Sequence, residues 1–432
     1  MKHAITVIAA AMAAAGLLAA CGEPKRPEVA APAAPPPPEY TSTWYSTGTA
    51  EQGAVFNIHA TQYGLGGFLR RNGDAAAHPI RVIHSSDAEL GFVIPDINAA
   101  YKAQKDEQGV WTGEWTEGGK QTDMPLQVTD MPAGAMDNLV KLADGRWFSY
   151  VCAGTGAPAI LLDYGAGASL NSWNQVFEPL SKVSRTCMFE RAGFGLSDPG
   201  PLPRDVNTVV GDIGAFLTAA KIETPIVLVG HSLASYHVRQ FANLHRDQTA
   251  GLVLVDPSGD GQDARFRAVI PNLNELIPDQ MVTEEQVKTC SIGLRSLVHS
   301  IATSPTPDDV DPIFGKCGGK DPDRAEAFLS EIAEMEVVST NQIKAAAKPY
   351  GDLPLIVLTR GDYQKDAPPD FPPEAAARLK QVWTAMHAEM TAQSSIGQNR
   401  TIAGAGHSIQ RDNPQAVIDA VTEVVTAARA KP

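Results

Sequence analysis

The sequence predicts two successive folds: a small antiparallel β-domain over residues 41–132, then an α/β domain with a mostly parallel sheet over residues 138–432. Three observations predict them. Between Trp44 and about Asp130, short alternating runs are separated by turn residues, and no helical periodicity lasts three turns. From Asn138 onward, apolar strands alternate with helical stretches, as in a parallel sheet covered by helices. Finally, about a hundred residues separate Asp256 from Leu355, far more than one crossover between strands needs, so the second part carries an insertion at about residues 258–350.

Ahead of both folds, Lys2 and His3 precede an apolar run from Ala4 to Ala20. That run is short for a membrane span, which needs about 20 apolar residues, and it has signal-peptide proportions. It ends in Leu18-Ala19-Ala20-Cys21, which resembles the lipobox of bacterial lipoproteins. The resemblance implies cleavage before Cys21, acylation of its thiol, and an exported, lipid-anchored chain in the cell envelope. Gly22 stands where members held at the inner membrane usually carry Asp, which favours the outer membrane or its periplasmic face. Residues 21–40 then read as a Pro/Ala-rich tether, with Pro35-Pro36-Pro37-Pro38 extended and semi-rigid. The net charge of −14 and the lack of basic runs exclude strong nucleic-acid binding, which needs clustered Lys and Arg.

In the β-domain, Val55-Phe56-Asn57-Ile58-His59, Ile80-Arg81-Val82-Ile83 and Gly91-Phe92-Val93-Ile94 read as strands. Asn72-Gly73-Asp74 and Glu117-Gly118-Gly119 punctuate them, as in a sandwich or a barrel. Trp111 and Trp115 flank a Gly-centred segment. They read either as a binding platform, for example for an envelope partner, or as core.

In the α/β part the expected strands are Arg146–Cys152, Ala159–Asp163, Thr186–Phe189, Ile226–Val229, Gly251–Val255, Leu355–Leu358 and Arg400–Ile402. Helices fall at Asp205–Ala220, Ala234–His245, Glu326–Val338 and Pro414–Ala428. The chemistry concentrates where the apolar run Pro225-Ile226-Val227-Leu228-Val229 enters Gly230-His231-Ser232-Leu233-Ala234, followed by a helix. A serine in so sharp a turn is exposed above the sheet, and only small residues fit two positions before and after it. A helix N-terminus behind it favours a developing negative charge. Near the end, Gly404-Ala405-Gly406-His407 places one histidine in a loop before a helix, and imidazole can take and return a proton near neutral pH. His231 and His237 read as packing groups.

These segments, in this order, resemble the α/β-hydrolase superfamily over roughly residues 138–432, with Ala234 in place of the last glycine of G-x-S-x-G. The resemblance implies an α/β-hydrolase fold whose insertion is a helical cap, with Ser232 as nucleophile and His407 as general base. Leu161-Leu162-Asp163-Tyr164-Gly165-Ala166-Gly167 resembles the oxyanion loop, with Tyr164 for the usual His, which implies N–H donors at Ala166 and Leu233. Glu190 to Asp198 resembles the family's D-R-x-G-x-G-x-S segment, structural in most members. The triad acid stays open between Asp256, ending one strand, and Asp362, following another. In this fold the strands of Cys152 and Cys187 are neighbours, implying one disulfide in an oxidising compartment. Cys290 and Cys317 both fall in the cap, implying a second. No metal or organic cofactor is implied. The expected activity is hydrolysis of a small-molecule carboxylic ester, with an amide-cleaving relative such as a proline aminopeptidase, or a non-catalytic envelope-binding lipoprotein, as alternatives.

Overall fold

A computed structural model describes residues 43–47, 54–71, 77–130, 138–276 and 321–431. The leader, the tether, Cys21, Cys290 and Cys317 lie outside the described residues.

The β-domain is a closed meander. Its strands are β1 (Thr43–Ser46), β2 (Ala54–Thr61), β3 (Gly64–Arg71), β4 (His78–Ser85), β5 (Glu89–Ile94), β6 (Ala99–Lys105), β7 (Trp111–Glu117) and β8 (Lys120–Thr129). Each pairs antiparallel with the next, and β1 closes the barrel on β8. Closure removes the exposed edges that a small sheet would otherwise present. Trp111 and Trp115, four residues apart, face inward with Phe56, Phe92 and Tyr101, so they are core. Gly113 between them is required, because a Cβ there would stand 2.1 Å from the Lys102 carbonyl oxygen. The β7–β8 hairpin turns through Gly118 and Gly119 at φ +55° and +79°, the left-handed conformation a two-residue hairpin demands.

The second sheet has eight strands. They are β9 (Leu139–Lys141), β10 (Trp147–Ala153), β11 (Ile160–Asp163), β12 (Thr186–Phe189), β13 (Ile226–His231), β14 (Thr249–Val255), β15 (Leu355–Arg360) and β16 (Gln398–Ile402). Their order is β16-β15-β14-β13-β11-β12-β10-β9, parallel from β16 to β12 and antiparallel at the β9–β10 end. Every residue of β13 is buried, as a central parallel strand with helices on both faces requires. Leu228 points to a core layer with Phe216 and Phe241; Val229 points to the opposite layer with Trp173 and Val421. The chain reverses its direction across the sheet between β11 and β13, and ligands bind at the carboxyl ends of strands at such a point.

Around this sheet pack α1 (Asn174–Ser181), α2 (Val206–Ala219) and α3 (Ala234–Leu244). In the insertion lie α4 (Gln262–Val269), α5 (Leu273–Leu276), α6 (Pro322–Glu334), a π-helical turn Met335–Ser339 and α7 (Thr340–Ala346). The chain closes with α8 (Pro373–Thr391), α9 (Ile409–Asp412) and α10 (Pro414–Arg429). The expected cap helix at Glu326 starts four residues earlier, because Asp321 caps it by accepting from the Asp323 and Arg324 amides and Pro322 sits where no N–H is needed. β9 and, outside the insertion, α1, α8 and α9 lie beyond the strands and helices named from the sequence. Cys152 and Cys187 stand opposite each other on β10 and β12 and form a disulfide, their Cα atoms 4.1 Å apart.

Candidate active site

Ser232 leaves β13 in a left-handed turn at φ +53°, a conformation that costs energy for any residue with a Cβ. The surroundings hold it there. Its amide donates to the Val255 carbonyl (3.1 Å), and its own carbonyl accepts from the Ser235 and Ser258 amides at 3.0 and 3.1 Å. Gly230 cannot be larger, since a Cβ would lie 2.8 Å from both the Ala234 carbonyl oxygen and Val238 Cγ2. Ala234 itself is fully buried and begins α3.

Three side chains from three loops then form one hydrogen-bonded line. His407 Nδ1 lies 2.6 Å from Asp256 Oδ2, and His407 Nε2 lies 2.9 Å from Ser232 Oγ. With the Nδ1 proton donated to Asp256, Nε2 is left to accept from the serine hydroxyl. Asp256, at φ +40° beyond β14, is fully buried and fully hydrogen-bonded. Its Oδ1 accepts from the Arg360 amide and from the Trp383 indole N–H, both at 3.0 Å, and the Arg360 Nε lies 3.4 Å from Oδ2. Burial pushes this carboxyl up, but the His407 hydrogen bond and the Arg360 charge outweigh it and bring it down to about 2. Asp362 is engaged elsewhere: it accepts from the Gln364 and Lys365 amides (2.9 and 3.1 Å) and so caps the turn after β15. Of the two candidate acids, Asp256 alone is hydrogen-bonded to His407 among the described residues.

His407 is braced on both sides. Its amide donates to Asp366 and the Gly406 amide to Asp412, while Gly406 leaves no room for a Cβ beside the Asp366 carboxylate. His231 does more than pack, because its Nε2–H donates to the His407 carbonyl at 3.0 Å, and its ring lies 4.8 Å from that of His407. Burial, with the neighbouring His407, pushes His231 down to about 3, so it stays neutral.

The loop after β11 lies against the serine: a Cβ on Gly165 would stand 3.1 Å from Ser232 Cβ. Among the described residues, the N–H groups of Ala166 and Leu233 have no acceptor within the protein. Beneath the loop runs a buried charged network. Arg191 donates from Nη1 to Asp163 (2.6 Å) and to the Tyr164 carbonyl (2.7 Å), from Nη2 to the Gly165 carbonyl (3.4 Å), and to Glu331 of α6 at 2.8 and 2.9 Å. His237 completes it by donating to Asp163 at 2.7 Å. The Tyr164 hydroxyl donates to Glu190 at 2.6 Å and accepts from the Arg191 amide. Trp383 had no signal in the sequence, and the Glu190–Asp198 segment, read there as structural, gives no sign that its Arg191 pairs with Glu331. A buried strand-end aspartate such as Asp256 signals that donors must exist, without saying which.

A cavity of about 380 Å³ opens beside His407. It is lined by the apolar or aromatic groups of Phe266, Leu273, Phe371 and Trp383, with Arg360 at its edge. The Trp383 ring stacks on Phe266 and lies edge-on to His407. Among the described residues, no group of three or more His, Cys, Asp or Glu side chains is placed to hold a metal ion.

The chain resembles several known proteins over part of its length. A protein of Hormonema carpetanum named as a probable transporter is 33% identical over 105 residues, which is 23% of this chain and 15% of that protein. The chain thus spans about 15% of the length of the first curated relatives it matches. An uncharacterized Bacillus subtilis protein is 21% identical over 276 residues, 64% of this chain and 86% of its own. Among solved structures, an esterase from Thermogutta terrifontis is 22% identical with a TM-score of 0.40, covering 67% of this chain and 98% of that one. The family model described as the Alpha/beta hydrolase family matches residues 165–420, more than half of the 432, and the chain, with its Ser232 turn at the end of β13, belongs to the alpha/beta hydrolase family.

Proposed function

We propose that this chain is a serine hydrolase that cleaves carboxylic esters through an acyl-enzyme. The observation that carries the reading is the unbroken line Ser232–His407–Asp256. Ser232 Oγ attacks the ester carbonyl as its proton passes to His407 Nε2, and Asp256 stabilises the imidazolium. The oxyanion accepts from the Ala166 and Leu233 N–H groups, at the N-terminus of α3. Collapse expels the alcohol, which takes the proton back from His407. A water then repeats the sequence on the acyl-enzyme and releases the acid.

Apolar and aromatic walls beside His407 suit an ester with a bulky apolar group on the leaving side. We also propose export and anchoring through acylated Cys21, supported by the Leu18-Ala19-Ala20-Cys21 pattern. Cys21→Ser is expected to move the protein out of the membrane fraction, and an unchanged distribution would remove that proposal.

The test of the activity is labelling of the full chain, in detergent, with a fluorophosphonate probe. Stoichiometric labelling that disappears in Ser232→Ala is expected, followed by turnover of aryl esters in preference to aminoacyl anilides. Well-folded protein that does not label would end the enzyme reading and leave a binding lipoprotein.

A further inference from the structure

The barrel is docked onto the hydrolase body through buried charge. His59 of β2 donates from Nε2 to Asp198, at 2.7 and 2.9 Å, and both side chains are almost wholly buried. Gly66 of β3 packs so closely there that a Cβ would stand 2.0 Å from Asp198 Oδ1. The second contact is Arg81 of β4, whose side chain is 1% exposed. Its Nε donates to Asp321 at 3.0 Å and lies 3.1 Å from Asp323, while Nη2 donates to the Gly195 carbonyl at 2.6 Å. A buried guanidinium with this set of acceptors fixes the position of whatever carries them.

Those acceptors lead to the oxyanion loop by two routes. Asp321 is the N-cap of α6, and α6 holds the loop directly: Arg324 donates to the Gly167 carbonyl at 2.5 Å, and Phe328 packs on Gly167. About two turns beyond Arg324, Glu331 holds Arg191, which donates to the Gly165 carbonyl. That carbonyl belongs to the same planar peptide unit as the Ala166 N–H, so holding one sets the direction of the other. The second route is Gly195, in the segment that begins with Glu190 and Arg191.

From this chain of contacts we propose that the N-terminal barrel is a working part of the active site, in which Arg81 is a positioning residue that aims the Ala166 N–H at the oxyanion by latching α6. The proposal rests on the reading of Ser232 as nucleophile.

The experiment uses the full chain with Arg81→Met and, separately, Asp321→Asn. The second variant keeps an oxygen for the helix cap, so the fold is retained, and it exchanges the charge-assisted Asp321–Arg81 contact for a neutral one, which weakens the latch without removing it. Both variants are expected to lower kcat, Arg81→Met on the order of tenfold or more, with KM changed by no more than about twofold, because a displaced donor is felt in the transition state. Fluorophosphonate labelling should slow in parallel, and Arg81→Lys should recover part of the loss. Amide hydrogen exchange over residues 163–168 is expected to speed up in both variants, a readout independent of turnover. Wild-type kcat, or unchanged exchange in that loop, in folded Asp321→Asn and Arg81→Met would overturn the latch. If wild-type protein itself fails to label, the nucleophile reading fails instead, and the exchange result still decides whether the barrel holds the loop.

Discussion

The two candidate acids are alike in sequence and differ in what surrounds them, so substitution separates them sharply. Asp256 is fully buried, with one oxygen on His407 and the other on two N–H donors, whereas Asp362 caps a turn. Asp256→Asn should lower kcat by about 10³–10⁴-fold, since an amide in that place favours the wrong imidazole tautomer. Asp362→Asn should leave kcat within a factor of about two, because it only trades one acceptor for another in a cap. Steady-state kinetics on an aryl ester read both, and comparable losses in the two variants would contradict this assignment. The turn that carries Ser232 and the loop that carries His407 were legible in the sequence because their demands are local: an apolar strand, Gly230 and a small Ala234, or a Gly-x-Gly before the histidine. The acid was not, because β14 and β15 are each followed by an aspartate within a few residues. What decides between them is a hydrogen bond between residues 151 positions apart.

At the scale of elements, strand and helix boundaries were readable wherever periodicity and caps coincide, as at Thr186–Phe189 and α10. They slipped at α6, whose Asp-Pro-Asp start reads as loop until Asp321 is seen to cap it. The clamp beneath the oxyanion loop escaped for a different reason. Arg191 reaches Glu331 across 140 positions, and nothing in either segment names the other. The antiparallel pairing of β10 with β12, by contrast, follows from the sheet order, and it brings Cys152 opposite Cys187. That bridge closes a loop across 35 residues, so reducing it should cost about 3–4 kcal/mol through the freedom it returns to the unfolded chain. Urea midpoints of Cys152→Ala/Cys187→Ala against the oxidised protein measure this, and equal midpoints would show that the strand pairing alone holds the edge of the sheet.

For the whole molecule, the buried ionisable groups set how stability responds to acid, and they pull in opposite directions. Burial pushes His231 and His387 down to about 3 and about 4, so the unfolded chain takes up two protons near 6.5 that the fold refuses. Their contribution is complete above about 6.5 and falls as pH drops toward 4 and then 3, by about 1.4 kcal/mol per pH unit for each histidine. Asp256, brought down to about 2, acts in the same sense lower down: its contribution is present above about 3.8 and is lost as pH falls through 2. Burial pushes Glu336 up to about 7 and, helped by the neighbouring Asp321 charge, raises Asp323 above the usual carboxylate range despite Arg81, so here the fold takes up protons before the unfolded chain does, and stability rises as pH falls from 7 toward 4.5. Between about 6.5 and 4.5 the two pairs oppose each other, and below about 4 the losses from His231 and Asp256 are joined by those of Asp163 and Asp412, whose carboxyls Arg191 and Lys365 hold below the usual range despite burial. The urea midpoint of the full chain should therefore stay level from pH 6.5 to 4.5 and fall steeply beneath 4. Glu336→Gln removes one of the compensating protons, so its stability should decline across pH 6.5 to 4.5 with a slope of about one proton. A wild-type midpoint that already falls steeply at pH 6, or a Glu336→Gln profile parallel to it, would mean that these buried groups do not govern the acid response of the fold.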